Sequence, residues 1–315
     1  MATRAVGGDA SVTTAAVGRA LRGRSRDLGG VAFKGALLLA LLISLVVLVT
    51  LLADVFRTGA PVYQERGVDF LTSNVSSLPE RAGVRQGIVG SLMIVAFVVL
   101  LAIPLGVGGA VYMEEYARDT RLSRVINANI RNLAGVPAIV YGLLGVALFA
   151  QLEAMQPITG GRSVISGGLT IAILVLPIVV ITAAEALRAV PQSIREAGFG
   201  VGATRWEVIR SHVLPYAAPG IFTGTVLTLA RAFGETAPLL LVGASTGFLS
   251  GGSGGFVEQV QGPYTTLPTL VFSFARKNLR DFEASTAAAI MALLAILLLV
   301  NATAIFLRNR YERQW

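Results

Sequence analysis

Apolar residues run along this chain in long blocks separated by polar stretches. The first block is Phe33 to Leu52, FKGALLLALLISLVVLVTLL. Further blocks run from Gly87 to Met113, Asn132 to Leu152, Gly167 to Ala184, Tyr216 to Gly243 and Ala284 to Leu307. A helix rises about 1.5 Å per residue, and about 20 apolar residues cross the roughly 30 Å of bilayer hydrocarbon. The pattern predicts an all-α membrane protein with six transmembrane helices. Between the blocks lie a polar loop (Ala53 to Gln86), a charged segment (Glu114 to Arg131), a short loop (Glu153 to Ser166), a charged insert (Glu185 to Pro215) and a Gly-rich loop (Ala244 to Phe282). Residues 1–32 read as a largely unstructured tail and residues 308–315 as a short basic one.

Composition supports this division. The chain is 54% hydrophobic and 14% charged, where a soluble domain carries about 25% charge. Its mean hydropathy is +0.70. Net charge is +8, which in a membrane protein is better read as loop asymmetry than as nucleic-acid binding. Seventeen of the 26 Lys and Arg residues lie in the two tails, at the tail end of the first block (Lys34), in the 114–131 segment and in the 185–215 insert. By the positive-inside rule these face the cytoplasm. Both termini and the charged insert are then cytoplasmic.

Several chemistries are excluded. There is no cysteine, so no disulfide, thiolate metal site or thiol nucleophile. The one histidine, His212, removes paired-histidine metal sites and reads as a packing residue. No Gly-rich loop is followed by Lys and Ser or Thr, so no nucleotide-binding P-loop is present. Gly251 to Gly255 reads as flexible loop. We assign no catalytic residue, no metal ligand and no bound cofactor.

Two stretches carry candidate chemistry. In the insert, Ser193 precedes Glu196 and Thr204 precedes Glu207 at capping-box spacing. With Gly198, Gly200 and Gly202 between them, the insert is expected to form two short helices joined by a bend, with Pro215 opening the fifth span. Such a hairpin could dock on another protein or simply be a solvated linker. The second stretch is Arg231 and Glu235, four residues apart within the fifth span and so on one helical face. An arginine deep in a bilayer helix costs about 2.5–3.5 kcal/mol on insertion scales, so it should face protein or water. It could form a structural ion pair with Glu235 or stand ready for an anion. Guanidinium suits phosphate because its planar fork donates two parallel hydrogen bonds and keeps its proton. Gly234 and Pro238 should break the helix there, with Thr228 and Thr236 as nearby hydroxyls. Prolines inside several spans fit a transporter, or are tolerated kinks.

Glu196-Ala197-Gly198, then Gly202 and Leu214-Pro215, resembles the EAA loop of ABC-importer permeases, with Gly198 in place of the second alanine and His212 in place of an isoleucine. From Gln86 to Leu307 the chain resembles the PstA-type permease of phosphate ABC importers. The matching stretches include Pro104-Leu105-Gly106 with Glu114-Glu115-Tyr116, Gly135 to Gly142 (GVPAIVYG), Glu185 to Pro191 (EALRAVP) and Arg231 to Pro238 (RAFGETAP). The tail and first external loop match poorly. The resemblance implies the type I importer permease fold in the bacterial plasma membrane. It implies phosphate as substrate, and ATP and Mg on a partner rather than on this chain. The implied partners are a PstC-type second permease, two copies of a PstB-type ATPase and an external PstS-type phosphate-binding protein. It gives Glu196, Ala197, Gly202, Arg205, Leu214 and Pro215 to ATPase coupling. It gives Arg231 and Glu235, with Thr228 and Thr236 beside them, to the substrate pathway. A permease for another oxyanion, such as sulfate or molybdate, and a passive channel are the rival readings.

Overall fold

The computed structural model describes residues 28–244, 256–277 and 281–311. Expectations for most of the N-terminal tail, for Gly251 to Gly255 and for the last residues lie outside these. Among the described residues all regular structure is helical. The principal helices are α1 (Leu28–Arg66), α2 (Arg85–Tyr116), α3 (Arg121–Ala134), α4 (Ala138–Ala150), α5 (Val164–Arg188), α6 (Gln192–Gly200), α7 (Arg205–Gly234), α8 (Ala237–Val242), α9 (Leu267–Ala275) and α10 (Asp281–Tyr311). Five of them are long and apolar enough to cross a membrane, and a bent pair would make a sixth.

Packing divides the chain at Asp54 and Val55. Among the described residues, the part before the division is the first two thirds of α1, which is apolar on all sides with most of its leucines and valines exposed. A helix of that kind is made for lipid or for another protein.

The remainder is built around α5. Most of its length is apolar, and two thirds of its most apolar 18-residue stretch is buried. Ser163 caps its start by accepting from the Ser166 N–H, and Ser166 Oγ donates to Phe149 O at 3.2 Å. One core lies around its first half, where Ile171, Leu174 and Val175 meet Ile94, Phe233, Leu239 and Leu270. A second surrounds its last turns, where Ala183 and Leu187 meet Ala110, Val208, Ile209 and Val213. This second core seats the charged insert.

The helices depart from the hydrophobic blocks in four places. The expected loop from Ala53 is helix as far as Arg66, through Pro61. Packing sustains it: the Tyr63 hydroxyl donates to Ala288 O at 2.8 Å, and Gly59 lies against the backbone of Ala287 and Ala288. The third block is not one straight span. α3 is amphipathic, with no buried residue, and meets α4 at 100°. Pro137 has no N–H and disfavours helix at Val136, so α3 stops at Ala134. Within the Gly-rich loop, α9 is packed into the core through Leu267, Leu270 and Phe274. Finally, the second helix of the insert is not separate. It continues from Arg205 to Gly234 as α7.

Continuity in α7 depends on a π turn at Ile209–Val213, closed by the Leu214 N–H on Ile209 O. The next residue but one is Pro215, which cannot donate and whose ring would crowd the carbonyl four residues back. The wider turn supplies that room. α2 repeats the device: a π turn at Val98–Ala102 precedes Pro104.

Candidate functional site

The insert presents the first candidate surface. α6 starts after Pro191, and Ser193 makes no cap, which corrects the first of the two expected capping boxes. Pro191 occupies the N-cap position, which places Ser193 inside the first turn, where its hydroxyl is not positioned to cap. The second box forms in full. Glu207 N–H donates to Thr204 Oγ1, and Thr204 N–H donates to Glu207 Oε2 at 2.8 Å. Between the helices Gly202 takes φ +83, a left-handed conformation that closes α6 through its N–H on Phe199 O at 3.0 Å. Gly198 is not part of the bend. It is buried in α6 against Val208, where an added Cβ would sit 2.7 Å from Val208 Cγ2. Glycine at this position therefore brings the two helices together.

Glu196 and Ala197 are exposed on α6, and Arg205 is exposed at the start of α7. Leu214 is half-buried against the second core and Pro215 is exposed. Sequence reasoning passed over Phe199, Val201 and Trp206, which stand exposed on the same hairpin. Large apolar side chains displayed around a tight bend are the signal for a protein-docking surface. Beneath the hairpin lies a cavity of about 590 Å³, lined by Glu114, Glu115, Arg188, Arg195, Phe199 and Arg205 among others.

At the far end of α7 lies the second candidate. The helix stops at Gly234, Glu235 is extended, and α8 begins again at Ala237. Arg231 Nε donates to Glu235 Oε1 at 3.1 Å. The Arg231 side chain is 47% exposed and that of Glu235 is 17% exposed. Half-exposure of a permanent charge within an apolar helix requires water or a partner chain at that face. Among the described residues this contact uses Nε alone, which leaves the two terminal nitrogens of the fork to another acceptor. Thr236 lies in the break, its hydroxyl 3.5 Å from Gly234 O. Thr228 is fully buried and its hydroxyl donates to Gly224 O at 2.9 Å, so it is committed to its own helix.

The break is held from one side. α8 packs on α4, where Gly142 lies so close to Pro238 that a Cβ there would be 2.7 Å from Pro238 Cα. The Tyr141 hydroxyl donates to Leu133 O at 2.9 Å and ties α4 back across the bend to α3.

Known proteins agree with this architecture. Residues 102–313 match the family described as binding-protein-dependent transport system inner membrane component. The probable ABC transporter permease protein YqgI of Bacillus subtilis is 34% identical over 56% of this chain, which spans 58% of that protein's length. A phosphate transport system permease protein PstA of Xylella fastidiosa is 30% identical over 79% of this chain and 83% of its own. The crystal structure of a bacterial ABC transporter involved in import of the acidic polysaccharide alginate superposes with a TM-score of 0.61 at 13% identity. It covers 94% of this chain and 100% of that one, a likeness of fold alone. With its long apolar helices, the chain is a multi-pass inner-membrane protein. It belongs to the binding-protein-dependent transport system inner membrane component family.

Proposed function

We propose that this chain is a permease subunit of an ATP-driven importer of inorganic phosphate. The observation that carries the reading is a half-exposed guanidinium at a helix break, on the same continuous helix that begins in the exposed hairpin. Relatives named as phosphate transport permeases supply the substrate.

In this reading the α6–α7 hairpin docks on a separate ATPase through Glu196, Ala197, Arg205 and the apolar side chains around Gly202. ATP and Mg belong to that partner, of the PstB type and present in two copies. A PstC-type permease provides the other half of the pathway, and a PstS-type protein delivers phosphate from outside. Both termini and the hairpin face the cytoplasm, and lipid surrounds the spans.

The chemistry at Arg231 follows from its geometry. Glu235 holds Nε and fixes the plane of the guanidinium. The two terminal nitrogens can then take two phosphate oxygens in parallel. Glu235 also keeps the resting site near neutral, so an anion is held long enough to be oriented and is still released. A passage site must bind weakly enough to let its substrate leave.

ATP-dependent uptake of labelled phosphate, in cells carrying native or Arg231→Gln protein, tests the reading. Excess sulfate is included as competitor, and recovery of the assembled complex is measured in parallel. Uptake lost with the complex intact and no competition by sulfate is the expected result. Uptake retained in Arg231→Gln, or abolished in the native protein by sulfate, would overturn it.

A further inference from the structure

Three consecutive residues at the end of α2 each hold an arginine, and the three arginines belong to three different elements. Glu114 Oε2 accepts from Arg188 Nε at 2.9 Å, and Arg188 is the last residue of α5. Glu115 Oε1 accepts from Arg195 Nη2 at 2.6 Å, and Arg195 is on α6. The Tyr116 ring lies 5.3 Å from the guanidinium carbon of Arg205, the first residue of α7. Adjacent side chains on a helix point about 100° apart, so a run of three fans outward. α2 ends here in a π turn, Tyr112–Tyr116, so the three side chains lie in its last, widened turn.

Arg195 is the hub. Besides Glu115 it donates to Leu187 O at 3.0 Å and Val190 O at 2.8 Å, carbonyls at and just past the end of α5. Carbonyls at a helix end lack intrahelical partners and carry the negative end of its dipole, so a cation is well placed there. The pair is largely withdrawn from water, with Arg195 13% and Glu115 8% exposed. Arg195 directly precedes Glu196 on a helix of nine residues. One face of α6 thus carries the exposed docking residue while the neighbouring side chain grips two other helices.

We infer that Glu114, Glu115 and Tyr116 form a latch that passes displacement of the docking hairpin to α2 and α5, with Arg195 as the positioning residue at its centre. The inference rests on the docking role proposed for the hairpin. Apolar contacts alone would allow the short α6 to slide over the second core, since they are non-directional. A desolvated ion pair with two further hydrogen bonds fixes its direction as well as its distance. A buried pair of this kind adds little net stability over apolar residues of the same volume. Its consequence is positional.

The latch is tested in the full complex reconstituted in liposomes with its ATPase, second permease and binding protein. The variants are Glu115→Gln, Arg195→Gln and Arg195→Lys. Three quantities are read per assembled complex: ATPase retained, basal ATP hydrolysis, and anion transported per ATP. Glu115→Gln and Arg195→Gln are expected to keep the ATPase and its basal hydrolysis within about twofold, and to lose transport per ATP at least tenfold. Arg195→Lys, which keeps the charge and its donors, should recover several-fold of the Arg195→Gln loss. Transport per ATP unchanged in Glu115→Gln and Arg195→Gln would overturn the latch, because a merely structural pair alters yield and not coupling. Loss of the ATPase from the complex would also overturn it, placing the pair in docking itself. The wild-type complex is assayed first with labelled phosphate and labelled sulfate in parallel. Transport of sulfate alone would sink the substrate reading and leave the coupling ratio measurable.

Discussion

Gly142→Ala is a one-carbon probe of whether α4 holds the helix break in place. The added Cβ would meet Pro238 Cα at 2.7 Å and Leu241 Cδ1 at 2.9 Å, where ordinary contact begins at 3.4 Å. Leu241 can turn aside, but Pro238 Cα is backbone. α8 must therefore recede by about 0.7 Å, or α4 must. Overpacking of this kind costs about 1–3 kcal/mol. Alanine returns about 0.5–1 kcal/mol through its better helix propensity. The residual strain is of order 1 kcal/mol, too small to unfold the chain. The shift itself acts on function, because α8 starts two residues after Glu235. A misplacement of about 1 Å at a reactive site can cost about 10²-fold, so uptake is expected to fall about tenfold with the complex intact. Gly109→Ala is the control, since its nearest neighbour is Val180 Cγ2 at 3.8 Å. Labelled-phosphate uptake per assembled complex is the assay. Gly142→Ala transporting as well as Gly109→Ala would refute the claim that α4 positions the break.

Two further substitutions address the hairpin. Gly202 has open space around it, so Gly202→Val meets only the left-handed backbone, at a cost of about 1–2 kcal/mol. Gly202→Asn should be tolerated better, and the order of ATPase retention in pull-down is expected to be Gly, Asn, Val; equal retention would show that the bend is not needed in that shape. Thr204→Ala removes the acceptor for the Glu207 N–H and should weaken the start of α7 by about 1 kcal/mol. Limited proteolysis should then cut faster at Arg205, and an unchanged rate would mean that packing on the second core secures this end without the cap.

The long spans were legible because lipid tolerates only apolar helices. The break after Arg231 was legible from Gly234 and Pro238. Elsewhere local chemistry competed with packing. Ala53 to Arg66 is polar enough to read as loop, yet Tyr63 and Gly59 pack on α10 and carry the helix through Pro61. α9 lay hidden in a Gly-rich stretch because only nine residues form it. Ser193 and Thr204 have the same spacing to glutamate, and only the second caps, since Pro191 had already set the start of α6. In the candidate sites, Arg231 with Glu235 could be paired because they share a helix. Glu115 and Arg195 could not, being eighty residues apart with no periodicity to join them.

The single helix from Arg205 to Gly234 imposes a phase relation on everything attached to it. Trp206 at one end and Arg231 at the other are separated by about 37 Å of helix. Each residue adds about 100° of rotation. Substitutions along the exposed side, at Tyr216 or Leu227 for instance, leave that phase intact. An insertion or deletion of one residue does not: it would swing the guanidinium a quarter-turn or more away from the break while the hairpin stayed docked. Chain length between the two ends is thus constrained more tightly than chain identity. The π turn beside Pro215 is one extra residue whose rotation the rest of the helix already absorbs.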